Sequence, residues 1–320
     1  MSTSTENPPE VVAAAPRRRT PTLSRLLLAD RVAVVAAVVL VLAALCAAVG
    51  PLLLGDAAQR QDLGLSRLPP LSFDQLGLLG LLGTDPLGRS VLARLVVASA
   101  TTFSVALPTV LLAMLIGAAV GMWAGFHRGR RETVAMRVAD VIMSFPSLLL
   151  AVVVLYVFDP GVATIVAVLT ITRIPVFLRT ARAESAELQR RGFVDAARTF
   201  GTPSSQIIRR HVLPVILPTL LTVATLDFCY VTLAESSLSF LGIGIQPPQV
   251  SWGLMVAEGR TYLRTAWWLS FFPGLAIVLT TVSATVLSAW VRLATDPAQR
   301  WRLTTAGATK HTPTIEGGVA

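Results

Sequence analysis

Six uninterrupted apolar runs, near residues 32–54, 101–125, 138–158, 161–179, 214–241 and 268–291, dominate this chain. Each is about long enough to cross the roughly 30 Å of hydrocarbon in a bilayer. Backbone N–H and C=O groups in hydrocarbon must be satisfied within the segment itself, so such runs become helices. The fold class that follows is an all-α polytopic membrane protein with six transmembrane helices. Composition points the same way. Of the 320 residues 53% are hydrophobic and 14% charged, against about a quarter charged in soluble domains.

The net charge of +9 invites a nucleic-acid reading, but the placement of the arginines carries more than their sum. Arg17, Arg18, Arg19, Arg25 and Arg31 precede the first run. Arg128, Arg130, Arg131 and Arg137 follow the second. Eight more, from Arg173 to Arg210, lie between the fourth and fifth, and Arg292, Arg300, Arg302 and Lys310 follow the sixth. Twenty-one basic residues thus fall on one side, against six on the other: Arg60, Arg67, Arg89, Arg94, Arg260 and Arg264. The positive-inside rule makes the richer side cytoplasmic, and both termini with it. The apolar core Val32–Val49 is longer than a signal-peptide core, and Leu45 before Cys46 does not fit a lipoprotein cleavage site. The first run therefore reads as an uncleaved signal anchor.

This divides the chain into a basic cytoplasmic segment at 1–31, the anchor helix at 32–54 and an extracytoplasmic segment at 55–100. A core of five spans follows at 101–291, with a cytoplasmic loop at 180–213, and then a cytoplasmic tail at 292–320. Within the outer segment, Leu87, Val91, Leu92 and Leu95 lie on one side and Arg89 and Arg94 elsewhere. That pattern predicts an amphipathic helix over 83–98, lying on the outer face.

The polar loop contains FVDAARTFGTPSSQIIRRHVLP, from Phe193 to Pro214. Ala196 and Ala197 give a short helix a face that a partner can approach closely. Gly201 reads as its stop. Thr202 and Pro203 then suit the N-cap and first position of a second helix, with Ile207 and Ile208 as its apolar contact. Leu213-Pro214 ends the polar segment. A DNA-reading helix-turn-helix would need further helices to bury its own core, and the connection from Thr180 to Val212 is too short to supply them. A merely solvated basic loop explains the arginines but not the Ala-Ala, Gly and Leu-Pro pattern.

The spacing of Asp195, Ala196, Ala197, Gly201, His211, Leu213 and Pro214 resembles the EAA loop of ABC-importer permeases, with Asp195 in place of the usual Glu. GTDPLGRSVLARLVVAS (Gly83 to Ser99) resembles the segment before the second span in C-type subunits of dipeptide and oligopeptide permeases, although Ser90 stands where an acid is usual. RTAR (Arg179 to Arg182), LAESSLSFLGIGIQPPQVSWG (Leu233 to Gly253) and VRLATDP (Val291 to Pro297, with Leu293 where an acid is common) resemble later segments of the same family, in order. The resemblance implies a type I ABC importer permease fold in a bacterial inner membrane. It implies a heterodimer with a homologous permease, two ATPase domains and an extracytoplasmic substrate-binding protein. The seven loop residues would couple to the ATPase by docking in its groove. Di- or oligopeptides are the implied substrates, with nickel chelates, glutathione or another small solute as the alternative within the family.

The chain holds no G-x-x-x-x-G-K-S/T phosphate loop, and Lys310 is its only lysine. Without that lysine beside the β/γ-phosphates it cannot hydrolyse ATP by that route. The chain is therefore expected to be no enzyme and to bind no cofactor, with ATP and Mg used by the partner ATPase. His127, His211 and His311 are scattered, so no metal site is expected. Cys46 and Cys229 read as small buried hydrophobes, and no nucleic-acid partner is expected. Inside the fifth run, Asp227 and Glu235 are costly in hydrocarbon unless paired or wetted. With Thr232, Ser236 and Ser239 they either line a translocation path or bond to neighbouring helices. A path role would also suit a different class of protein, an ion-coupled secondary transporter.

Overall fold

The computed structural model of the chain describes residues 27–28, 30–127 and 129–295. The amino-terminal arginines 17 to 25 and everything from Asp296 onward, including Lys310 and His311, lie outside the described residues. Among the described residues, five helices are long and apolar enough to cross a membrane, or six when one bent pair is counted as a span.

Helix α1 (Arg31–Gln59) starts where Asp30 accepts backbone N–H groups of Val32 and Ala33 at 3.0 and 3.3 Å, an N-cap that offsets orphan donors. Its outer face is exposed valine and leucine, from Val32 to Leu53, as suits a helix at the rim facing lipid. It packs on α2 (Val91–Phe126), where a Cβ on Gly50 would come within 2.6 Å of Val96 Cγ1.

The amphipathic surface helix predicted over 83–98 is not there. Gly83 to Ser90 form a tight loop with φ of +79° at Gly83 and +74° at Gly88, closed by a bridge between Thr84 and Ser90. Ser90 then caps α2 by accepting from Ala93 N at 3.3 Å. No helix breaker follows until Pro108, so Val91–Ala100 joins the span. At 36 residues, α2 is about 54 Å long, and its first turns stand outside the hydrocarbon.

The third run is also not one straight span. Helices α3 (Arg130–Ser144) and α4 (Ser147–Val157) meet at 80°. Pro146 has no N–H to donate, and its ring pushes Phe145 out of the helical region, to φ −90° and ψ 135°. The apolar run at 138–158 extends across this break, with α3 the more polar of the two helices.

Helix α5 (Val162–Leu188) lies along α2. Gly117, Gly121 and Gly125 form the seam: a Cβ would lie 2.6 Å from the Ile174 carbonyl at Gly117 and 2.6 Å from that of Arg182 at Gly125. Small residues every fourth position let the backbones touch. After the short α6 (Gly192–Thr199), helix α7 runs from Ser204 to Phe240 without interruption, 37 residues in all. Leu213-Pro214 ends the polar segment, and the helix passes through it. Pro214 lacks an N–H, and the chain accommodates this with a π turn over Ile208–Val212, where Leu213 N donates to Ile208 O. Helices α8 (Trp252–Gly259) and α9 (Trp268–Thr295) complete the bundle. Its core includes Ile165, Leu169, Phe177, Ile207, Ile216, Leu220 and Leu238, each no more than 1% exposed.

Candidate functional site

The segment singled out by its pattern stands at one end of the bundle. Helix α6 closes at Gly201, whose φ is +75°. Gly201 N donates to Arg198 O at 2.9 Å and Thr202 N to Ala197 O at 3.1 Å, the paired closure that a left-handed residue permits. A Cβ on Gly201 would meet nothing within 4 Å, so backbone conformation and not space calls for glycine here. The second helix starts one residue later than predicted: Pro203 occupies the cap position and Thr202 makes no capping bond.

Val194 is fully buried and Ala197 packs against the core, which holds α6 to the bundle by one edge. Phe193, Asp195, Ala196 and Phe200 are exposed, Phe200 to 87%. The exposed His211 lies in the π turn with its ring 6.4 Å from that of Phe193. Pro214 is exposed and Leu213 half-buried. The arrangement therefore gathers Asp195, Ala196, Gly201 and His211 around an exposed aromatic edge and sets Leu213 inward. Arg198 lies over the Phe126 ring at 4.8 Å, tying α6 to the end of α2.

The RTAR arginines anchor the broken span. Arg179 Nη2 pairs with Asp140 Oδ1 at 2.6 Å, and Arg182 pairs with Glu132. Further along, the Ser185 hydroxyl donates to Met122 O at 3.2 Å and Gln189 Nε2 to Phe126 O at 2.8 Å, the latter satisfying a carbonyl that the end of α2 would leave bare.

Within the bundle, Asp227 is 2% exposed and bonds to Arg173 of α5. The Arg173 guanidinium also lies over the Tyr230 ring at 4.1 Å, and the Tyr230 hydroxyl meets that of Ser147 at the start of α4. Arg173 is thus no loop arginine. It leaves the basic side one member smaller, and the bias toward that side stands.

Glu235 forms a separate group two turns along α7. It is fully buried and accepts from Ser239 Oγ at 2.8 Å and Ser236 Oγ at 3.4 Å. Ser239 Oγ in turn accepts from Ile245 N at 3.0 Å, while Gly242 at φ +80° turns the chain back. Among the described residues, then, Glu235, Ser236 and Ser239 lock the end of α7 to the loop that follows it, and Asp227 shares none of their partners.

A third charged cluster escaped the sequence reading. Asp85, 3% exposed, accepts from the backbone of Leu87 and Arg89, from Arg89 Nε at 2.6 Å and from Arg94 Nη1 at 2.7 Å. Arg94 Nη2 reaches Glu258 Oε2 of α8 at 2.8 Å. Trp268 Nε1 donates to Thr84 O and Trp252 Nε1 to Leu95 O. The GTDPLGRS loop and the segment after QPPQVSWG are thereby bolted together beside a cavity of about 410 Å³. Asp and Arg nine residues apart are a weak signal, and their meeting with Glu258 is a tertiary fact.

Among the described residues no three His, Cys, Asp or Glu side chains stand together as a metal would require. Residues 117–301 match the family described as binding-protein-dependent transport system inner membrane component. The di/tripeptide transport system permease protein DppC of Pseudomonas aeruginosa is 36% identical over 217 residues, 68% of this chain and 72% of that protein. The dipeptide transport system permease protein DppC of Bacillus subtilis is 35% identical over 255 residues, 79% of this chain and 78% of its own length. The glutathione transport system permease protein GsiD of Pectobacterium atrosepticum is 33% identical over 216 residues, 68% and 72% of the two chains.

Proposed function

The chain belongs to the family of binding-protein-dependent transport system inner membrane components, and from this we infer that it is the permease subunit of an ATP-driven importer of di- and oligopeptides. It is a multi-pass inner-membrane protein and a transport subunit, working with a second permease, an ATPase and a substrate-binding protein. In our reading the second permease is a homologue and the pair is a heterodimer around one pathway. Two ATPase domains sit beneath it and hold the ATP and Mg, and both termini of this chain are cytoplasmic.

The observation that carries this reading is the exposed edge of α6, held to the core by Val194 and continued by the unbroken α7. Asp195, Ala196, Ala197, Gly201, His211, Leu213 and Pro214 would form the contact with an ATPase domain. Closure of the ATPases would move α6, and α7 would carry that motion into the membrane as rigid-body rocking. In this scheme Asp227 ties α7 to α5, while Glu235, Ser236 and Ser239 fix the end of α7 to the loop that follows it. A path-lining role for them would need the bundle to open between α5 and α7.

The test is ATP-dependent uptake by the purified complex with its partner subunits. Labelled di- and tetrapeptides should enter with ATP hydrolysis, ahead of glutathione and a nickel chelate. Transport that persists without ATP and collapses with the proton gradient would overturn the reading.

A further inference from the structure

At the same end of the bundle as α6, a cavity of about 470 Å³ opens between the last turns of α2 and the start of α7. Its lining has apolar members, Ala119 and Met122 of α2 with Ile208 and Leu213 of α7, and polar or basic ones, among them Trp123, His127, Ser205 and Arg209. The Arg131 guanidinium lies 5.7 Å from the centre of the Trp123 ring, whose other neighbour is the His127 ring at 5.6 Å. A second cavity of about 390 Å³ shares Ser205 and Arg209 with the first and adds Arg210. Among the described residues, Arg131, Arg209 and Arg210 make no ion pair, unlike Arg173, Arg179 and Arg182.

From Ala119 to His127 is about 12 Å along the helix, roughly the step from hydrocarbon to headgroup level. Tryptophan at that level is the usual marker of a membrane boundary. A free anion would meet the arginines and leave the apolar wall in water. An alkyl chain alone would fill that wall and leave the arginines uncompensated. We propose that the cavity between α2 and α7 binds an anionic phospholipid, its headgroup phosphate at Arg209 of the lining, flanked by Arg131 beside Trp123 and by Arg210 of the adjoining cavity, and the start of an acyl chain against Ala119, Met122 and Ile208. Basic pockets between membrane helices hold acidic headgroups by this combination. The site sits beside the π turn of α7, so an occupied site would brace the root of the helix that α6 moves. The proposal rests on the transport reading only for placing this end of the bundle at a membrane surface.

The experiment uses the complete complex in nanodiscs of phosphatidylcholine with a minor share of phosphatidylglycerol. Lipid retained after re-extraction in detergent is counted by native mass spectrometry. The wild type should retain phosphatidylglycerol beyond its share. Arg131→Ala with Arg209→Ala should cut that retention about tenfold, and Arg131→Lys with Arg209→Lys should restore most of it. ATP hydrolysis in pure phosphatidylcholine reports that each variant assembles. Equal retention by wild type and the alanine variant overturns the proposal. So does displacement of the lipid by millimolar inorganic phosphate, which would mark a free-anion site. Cross-linking of Ser205→Cys to the ATPase subunit with no lipid retained would give the cavity to that protein. Peptide uptake in the same nanodiscs is read separately, so failure of the transport reading and failure of the lipid site are distinguishable.

Discussion

Arg173 of α5 and Asp227 of α7 hold each other inside the bundle, with Arg173 Nε donating to Asp227 Oδ1 at 2.6 Å. The Asp227 side chain is 1% exposed and that of Arg173 18%. Neither charge would be tolerable there alone, and together they tie two consecutive spans across the polar loop that separates them.

Removing one member of this pair should cost far more than removing both. Breaking a buried pair typically costs about 3–5 kcal/mol, whereas replacing it with apolar residues is near neutral. Arg173→Leu and Asp227→Leu should each lower the melting temperature of the detergent-solubilised chain sharply, and the double variant should recover most of the loss. A double variant that melts at the sum of the two single losses would mean that the charges act independently.

At Gly201 the demand is on backbone conformation, since φ is +75° and the space around it is open. Gly201→Asn, which tolerates the left-handed region, should keep uptake. Gly201→Val should abolish it with the chain still in the membrane, and the local strain should be roughly 1–2 kcal/mol. Asp195→Arg reverses a charge on the exposed edge and should leave ATP hydrolysis uncoupled from uptake. Normal uptake by both Gly201→Val and Asp195→Arg would falsify the coupling role.

The glycine seam gives a prediction about folding alone. A leucine at Gly121 would push into the backbone of α5 at Leu178 and into Ala181. Overpacking of a tight contact costs about 1–3 kcal/mol or more, so Gly121→Leu should reduce the amount of properly folded chain on gel filtration. The same change at Gly55, with nothing within 4 Å, should be neutral. Equal behaviour of the two variants would deny the seam its importance.

Glu235 separates the two transport classes. Gln in its place can still meet Ser239 and Ser236, so Glu235→Gln should preserve both the fold and ATP-dependent uptake. Glu235→Leu should loosen the lock on Ile245 and expose the loop after α7 to proteolysis. An ATP-independent uptake lost on Glu235→Gln would point instead to an ion-coupling carboxylate.

The apolar runs were plain in the sequence because hydrocarbon thickness writes itself as length. The ends of the helices were not. Ala181–Leu188 and Ser204–Val212 are helical but polar, since the hydrogen-bond ladder continues where lipid stops, and the apolar Val91–Ala100 was set apart from its span by Arg94 alone. Pro146 lies in a run of continuous hydropathy, where its missing N–H permits a bend but does not fix the 80° observed. Gly201 announced a helix stop correctly, because a glycine after Ala-Ala has few other uses. Arg173 was misplaced among loop arginines because its partner Asp227 lies 54 residues away, a distance over which a single sequence carries no pairing signal. The Gly117, Gly121, Gly125 spacing was legible as a packing motif and went unread, being embedded in an apolar run that already had an explanation.

The π turn beneath Leu213 has a rotational consequence. In an unbroken α-helix Ile207 and Val212 would point about 140° apart. One extra residue in the turn reduces this to about 40°. Ile207, Val212, Ile216 and Leu220, each no more than 1% exposed, then follow one another as a single stripe. Without the wide turn, Ile207 would leave that stripe and swing α6 around the axis with it. Five residues thus set the azimuth at which α6 meets the long rod of α7, and deleting one of them would re-aim α6 while leaving both pieces helical.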